Sequence, residues 1–222
     1  MSIDIYHDNL IKKLFAENQI AGFKELWELK TPWFEEPNYR RNGWSGVIKQ
    51  AFIYENGQAG FIFIKRQENH NHKTLLHPIK GVPTFRREFN NITSLEKNNI
   101  PSLNALYYGE RKVNGKRQGI LVTRSLEGYQ SFEQYAADPN HTDKALWTKI
   151  LQQGGIVVRQ LHDARFRHNC LYPKHLFVKA ENNRIDVRLI DLEKLIRLPF
   201  SFQARRNDLS RIIRRFDPLT KV

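Results

Sequence analysis

The chain has 222 residues, and its 36 lysines and arginines against 23 acidic residues give a net charge of +13. With 40% hydrophobic and 27% charged residues it is globular rather than disordered, and long enough for one large domain or two small lobes. No apolar run approaches the roughly 18 residues of a membrane span, MSIDIYHDNLIKKLF lacks the apolar stretch of a signal peptide, and the single cysteine, Cys170, excludes an internal disulfide framework.

Those features predict a protein of the reducing cytoplasm. The positive balance calls for an anionic partner, and nucleic acid, an acidic membrane surface and a phosphorylated substrate satisfy it equally. Along the chain, Leu10, Ile11, Leu14 and Phe15 recur at helical spacing and predict an N-terminal helix. From Val47 the pattern turns to strands, with VIKQAFIY and AGFIFIKR flanking Asn56-Gly57, a hairpin signature. Residues 68–81 are polar and predict a loop. Its His70, His72 and His77 have no cysteine or paired carboxylate beside them, so they read as solvated rather than as a metal site. Pro83 and Thr84 open a helix, with Thr84 as N-cap and Phe85, Phe89, Ile92 and Leu95 as its apolar stripe. Ile100-Pro101 ends it, and LNALYYGE and GILVTRS predict two more strands.

After Glu127-Gly128 the pattern becomes helical. Ser131 and Gln134 form a capping box for a short helix, and Leu146, Ile150, Val157 and Leu161 predict a longer one after Thr142. Gly154-Gly155 inside it lowers helix propensity and predicts a close contact there. HLFVK and DVRLID predict a strand pair. A last helix carries the stripe Leu209, Ile212, Ile213 and Phe216, with Arg205, Arg206, Arg211, Arg214 and Arg215 around it. That basic face is either simply solvated or a contact surface for acidic lipid or phosphorylated sugar. A sheet-rich lobe over residues 1–124 followed by a helical lobe over 125–222 makes a two-lobed α+β fold.

This layout relates four isolated features. Gly43 and Gly46 fall just before the first predicted hairpin strand, and Lys65 ends the second. Glu88 lies one turn after Phe85 and one before Ile92, so it faces the sheet, where an unpaired carboxylate is costly. Asp191 follows the apolar run of a strand in the helical half. A glycine turn, a strand lysine, a helix glutamate and a late aspartate are the parts of a kinase phosphate site. The lysine neutralises phosphate charge, the glutamate orients the lysine, and the aspartate holds Mg²⁺.

With RHNCLYPKHLFV and VRLIDLEK added, the sequence resembles the bacterial lipopolysaccharide kinases of the InaA type, relatives of the heptose and Kdo kinases of the core oligosaccharide. The likeness runs from about Arg41 to about Phe216 and is most specific in those two stretches. It implies a protein-kinase-like fold, ATP with Mg²⁺, and phosphorylation of a sugar of lipopolysaccharide or a related glycan. It further implies that Lys65 and Glu88 form the ion pair beside the phosphates, with Gly43 and Gly46 as the reduced glycine loop. Asp191 becomes the principal metal ligand and His175 takes the second metal position. His168, Cys170 and Lys174 belong to the catalytic loop.

One departure matters. In H-R-D-x-x-x-x-N the aspartate accepts the acceptor's proton, whereas here Cys170 stands in its place and Asn169 replaces the arginine. A thiol with an ordinary pKa of about 8.5 is mostly protonated at neutral pH, and it reads as a small buried filler rather than a nucleophile. A general base contributes about 10²–10⁴-fold, so a slow kinase is one reading and a nucleotide-binding pseudokinase is another. A nucleic-acid-binding protein rests on charge alone, without a helix-turn-helix, RRM or zinc motif.

Overall fold

The computed structural model describes residues 2–40, 43–74, 77–182 and 184–216, without the side chains of 72–80, 215 and 216. Two compact units divide the chain: Met1–Asn90 with Asn104–Glu127, and Asn91–Leu103 with Gly128–Val222. No helix among the described residues is long and apolar enough to cross a membrane.

The first unit opens with β1 (Ile3–Tyr6), α1 (Asn9–Glu17) and α2 (Phe23–Glu28), then β2 (Trp33–Arg40), β3 (Gly43–Ile53) and β4 (Ala59–Glu68). Next come β5 (Asn71–Thr74), β6 (His77–Pro83), α3 (Thr84–Lys97), β7 (Ala105–Val113) and β8 (Lys116–Arg124). Six of the strands form one antiparallel sheet in the order β1-β7-β8-β4-β3-β2. Its core is built by alternation: Ile48, Ile62, Ile64, Ile120 and Val122 turn to one face, where Ile11, Leu14, Phe15, Phe23 and Leu26 of α1 and α2 cover them. The Asn56-Gly57 turn closes β3 onto β4 as expected, with Gly57 at φ 73 and the Tyr54 N–H bonded to Gln58 O at 3.0 Å.

Two features of this unit depart from the sequence reading. The polar stretch expected as a loop is the hairpin β5–β6, because a two-stranded ladder satisfies its own backbone bonds whatever the side chains. Residues 75 and 76 lie outside the described ones, as do the side chains of His72 and His77. His70, expected to be solvated, is buried with Nδ1 3.2 Å from Thr84 Oγ1. Strand β2 was hidden by its charges and Pro37, which an edge strand tolerates.

In the second unit come β9 (Gln130–Ser131), α4 (Phe132–Ala137), α5 (Lys144–Asp163), β10 (Phe166–Arg167), β11 (Leu176–Glu181), β12 (Arg184–Leu189), β13 (Ile196–Arg197) and α6 (Ser201–Phe216). The Ser131–Gln134 capping box is present in both directions. Gly154 explains itself: a Cβ there would lie 2.7 Å from the Phe132 ring, while one on Gly155 would meet nothing. Helix α6 is rotated from its expected orientation. Ala204, Asp208 and Ile212 face inward, whereas Leu209 and Ile213, expected in the core stripe, are exposed. The Phe216 and Arg215 side chains lie outside the described residues.

Candidate active site

Strand β4 sets the candidate residues of the first unit. Lys65 is paired across to Val47 on one side and Leu121 on the other, so its backbone is held by two neighbours. Two residues on and on the same face, Gln67 Oε1 accepts the Thr84 hydroxyl and the Phe85 N–H, both at 2.8 Å. Gln67 Nε2 in turn donates to His70 O at 2.8 Å. The first turn of α3 is therefore tied to β4 by Gln67, and Thr84, expected as a cap acceptor, spends its hydroxyl as a donor. The helix begins with this side chain from another strand filling the capping role.

One turn later that geometry brings Glu88 over Lys65. Lys65 Nζ donates to Glu88 Oε1 at 2.6 Å, with the glutamate side chain 3% exposed and the lysine 20%. Phe89 stacks on Tyr108 with centroids 5.1 Å apart and closes the helix against β7. Because the carboxylate is buried against its partner, Lys65→Ala and Glu88→Ala are expected to be non-additive. A double-mutant cycle in urea should give a coupling of about 1–3 kcal/mol. Simple additivity would mean that the pair is not formed in solution.

Gly43 and Gly46 stand elsewhere than expected. Both lie inside β3 in extended backbone rather than in a turn before it. A Cβ on Gly43 would strike the Glu68 carbonyl, and one on Gly46 would lie 2.8 Å from the Trp33 ring. These glycines permit close approach within the sheet. The connection from β2 to β3 passes through residues 41 and 42, outside the described ones.

The second unit holds the loop from His168 to His175. His168 is buried; its Nε2–H donates to Ile190 O at 2.9 Å, and its Nδ1 accepts the Cys170 N–H at 3.3 Å. Burial pushes this imidazole below its ordinary pKa, so it stands neutral as a brace. Pro173–His175 form a single 3₁₀ turn, which lifts His175 back over the loop. A carbonyl can only accept, so the 2.6 Å contact of His175 Nδ1 with Cys170 O fixes the proton on Nδ1. Nε2 then faces Asp191, whose Oδ2 is 3.6 Å away.

Asp191 does not end its strand. It stands two residues beyond β12 in left-handed backbone, φ 56 and ψ 57, a conformation that aspartate tolerates better than most residues. Its side chain is 43% exposed. A histidine tautomer fixed by a backbone carbonyl is the usual support of a metal-binding imidazole. The accessible carboxylate beside it is the hard oxygen donor that Mg²⁺ takes, whereas an imidazole nitrogen is a donor that suits softer metals. Among the described residues no group of three or more His, Cys, Asp or Glu gathers as an all-protein cage. Lys174 is exposed, and Cys170 is buried and unbridged.

The residue that sequence reasoning missed is Asp208. Fully buried on α6, its carboxylate accepts the His168 N–H at 2.7 Å and the Asn169 N–H at 3.0 Å, and meets His162 Nε2 of α5 at 3.2 Å. Arg211, one turn on, donates to Asn169 O. The helix read as a basic surface is also the clamp of the loop from His168 to His175. One signal was available: Asp208 is the only acid in SFQARRNDLSRIIRRF.

The profile of the Lipopolysaccharide kinase (Kdo/WaaP) family matches residues 24–221. Protein InaA of Escherichia coli (strain K12) is 30% identical over 205 residues, which cover 90% of each chain. The solved structure of WaaP in complex with acyl carrier protein superposes with a TM-score of 0.62 at 16% identity, over 95% of this chain and 80% of that one, and shows the shared fold. With a profile over residues 24–221, a curated relative matched over 90% of each chain and the kinase fold in common, the chain belongs to the lipopolysaccharide kinase (Kdo/WaaP) family.

Proposed function

We propose that the protein is a cytoplasmic phosphotransferase that moves the γ-phosphate of ATP, with Mg²⁺, to a sugar hydroxyl of the lipopolysaccharide inner core or a related glycan. The observation that carries this reading is the buried Lys65–Glu88 pair, an oriented cation on a rigid strand. Lys65 neutralises phosphate oxygens and Glu88 holds its ammonium in place. Asp191, with His175 beside it, would hold the metal, which would supply positive charge to offset that on the transferring phosphoryl group. His168 braces the loop, and Lys174 is free to meet an anionic acceptor group. Membership in the family supports the sugar acceptor, and the net charge of +13 then matches a nucleotide and a phosphorylated glycan.

Cys170 in the base position favours a second reading, a pseudokinase that binds nucleotide without turnover. Both readings require nucleotide binding, which is tested first. Mg-ATP at about 100 times its Kd should stabilise the protein by about 2.7 kcal/mol. Lys65→Ala and Asp191→Ala should each remove most of that gain. Undiminished stabilisation in both variants would assign the nucleotide elsewhere, and ³²P transfer to core oligosaccharide then separates kinase from pseudokinase.

A further inference from the structure

The outward side of α6 carries a feature that phosphotransfer does not use. Phe202, Leu209 and Ile213 recur at i, i+7 and i+11 and are 66%, 40% and 64% exposed. Just before the helix Phe200 is 57% exposed, and its ring stacks on Phe202 with centroids 5.7 Å apart. These four side chains make one apolar ridge along the helix, on a different face from the buried Ala204, Asp208 and Ile212. Keeping such side chains in water forgoes about 1.5–3 kcal/mol each, and clustering them on one face marks an interaction surface.

The charge around the ridge says what that surface meets. Arg206 lies on the ridge face, Arg205 along its other edge and Arg214 farther round, all exposed. Arg205 is paired with Asp163, and Arg214 Nε donates to Ser210 O at 2.8 Å. The helix has a single acid, Asp208, and it is buried, so its outer face carries no negative charge. Exposed Arg165, whose Nη1 donates to Pro199 O at 3.5 Å, adds a further positive charge near the start of the helix. A straight apolar ridge with a basic flank is the pattern of a helix lying in a bilayer interface, its apolar side in the headgroup boundary and its arginines at the phosphates.

We propose that the outer face of α6 docks the protein on an anionic lipid bilayer, with Phe200, Phe202, Leu209 and Ile213 entering the interface and Arg206 and Arg214 meeting lipid phosphates. None of these is a site residue, so the proposal and the phosphotransfer reading stand or fall separately.

Co-sedimentation of the full chain tests it, with vesicles of phosphatidylcholine alone or with about 30% phosphatidylglycerol. Binding to the anionic vesicles alone is expected, falling steeply from about 0.1 M to 1 M salt as screening shortens. The double variants Phe202→Ser/Ile213→Ser and Arg206→Glu/Arg214→Glu should each lose about tenfold or more in affinity, with melting temperatures unchanged because the side chains are exposed. Equal binding to neutral and anionic vesicles, no binding to either, or undiminished binding by the Ser variant overturns the proposal. So does a protein that ignores vesicles but is retained by a small acidic soluble protein through these same residues.

Discussion

Replacing Asp208 with alanine is expected to cost about 3–5 kcal/mol of unfolding free energy, as for other broken buried charge contacts. The carboxylate gathers two backbone N–H groups, of His168 and Asn169, and the imidazole of His162, with no exposure to water. Alanine leaves both N–H groups buried without that acceptor, at about 1–3 kcal/mol each. Asp208→Asn retains one acceptor oxygen and should fall between alanine and wild type. Urea unfolding with an unchanged slope measures the series. The same substitutions should lower phosphotransfer beyond their effect on the folded fraction, because His168 and Asn169 open the loop that carries His175. An Asp208→Ala variant within about 1 kcal/mol of wild type would show that other contacts hold the loop.

The contrast between Asp208 and Glu88 shows what a sequence reveals and what it conceals. Glu88 interrupts an apolar stripe, so periodicity alone places a carboxylate against the sheet and calls for a cation, which Lys65 supplies. Asp208 sits in a helix whose buried side is unusually small and polar, Ala204, Asp208 and Ile212. Leu209 and Ile213 of the expected stripe point outward and made the wrong face look like the core. Patterning assumes that the most apolar face is the buried one, and α6 breaks that rule by burying Ala204, Asp208 and Ile212 instead. Residues 68–81 mislead in the opposite sense, because polar side chains concealed a hairpin whose strands pair through the backbone. Gln67 could not have been found at all by local rules, since its capping role spans two elements.

The loop from His168 to His175 was legible in its spacing, but its internal division of labour was not. The backbone of Cys170 works twice: its N–H bonds His168 Nδ1 at 3.3 Å, and its carbonyl fixes His175 through Nδ1 at 2.6 Å. Neither bond involves the thiol. The frame that presents His175 toward Asp191 therefore does not depend on which side chain occupies position 170.

That separation makes Cys170 the informative position for the chemistry. Cys170→Ser is expected to leave both Mg-ATP stabilisation and phosphotransfer near wild type, because both backbone bonds remain. Cys170→Asp is expected to raise ³²P transfer by about 10²-fold or more, the lower end of what a general base contributes. Position 170 is buried, so the new carboxylate costs some stability. Burial also lifts its pKa above the usual 3.9 or so, toward the range in which a base works well near neutral pH. Single-turnover transfer at saturating Mg-ATP separates this gain from any change in nucleotide affinity. If the thiolate were itself the base or nucleophile, Cys170→Ser and a thiol-alkylating reagent would each abolish transfer instead. If neither the native protein nor Cys170→Asp transfers phosphate while both bind Mg-ATP, the base is not what is missing. The family fold then serves here as a nucleotide-binding pseudokinase, and the Lys65–Glu88 and His175–Asp191 pairs hold a ligand rather than turn it over.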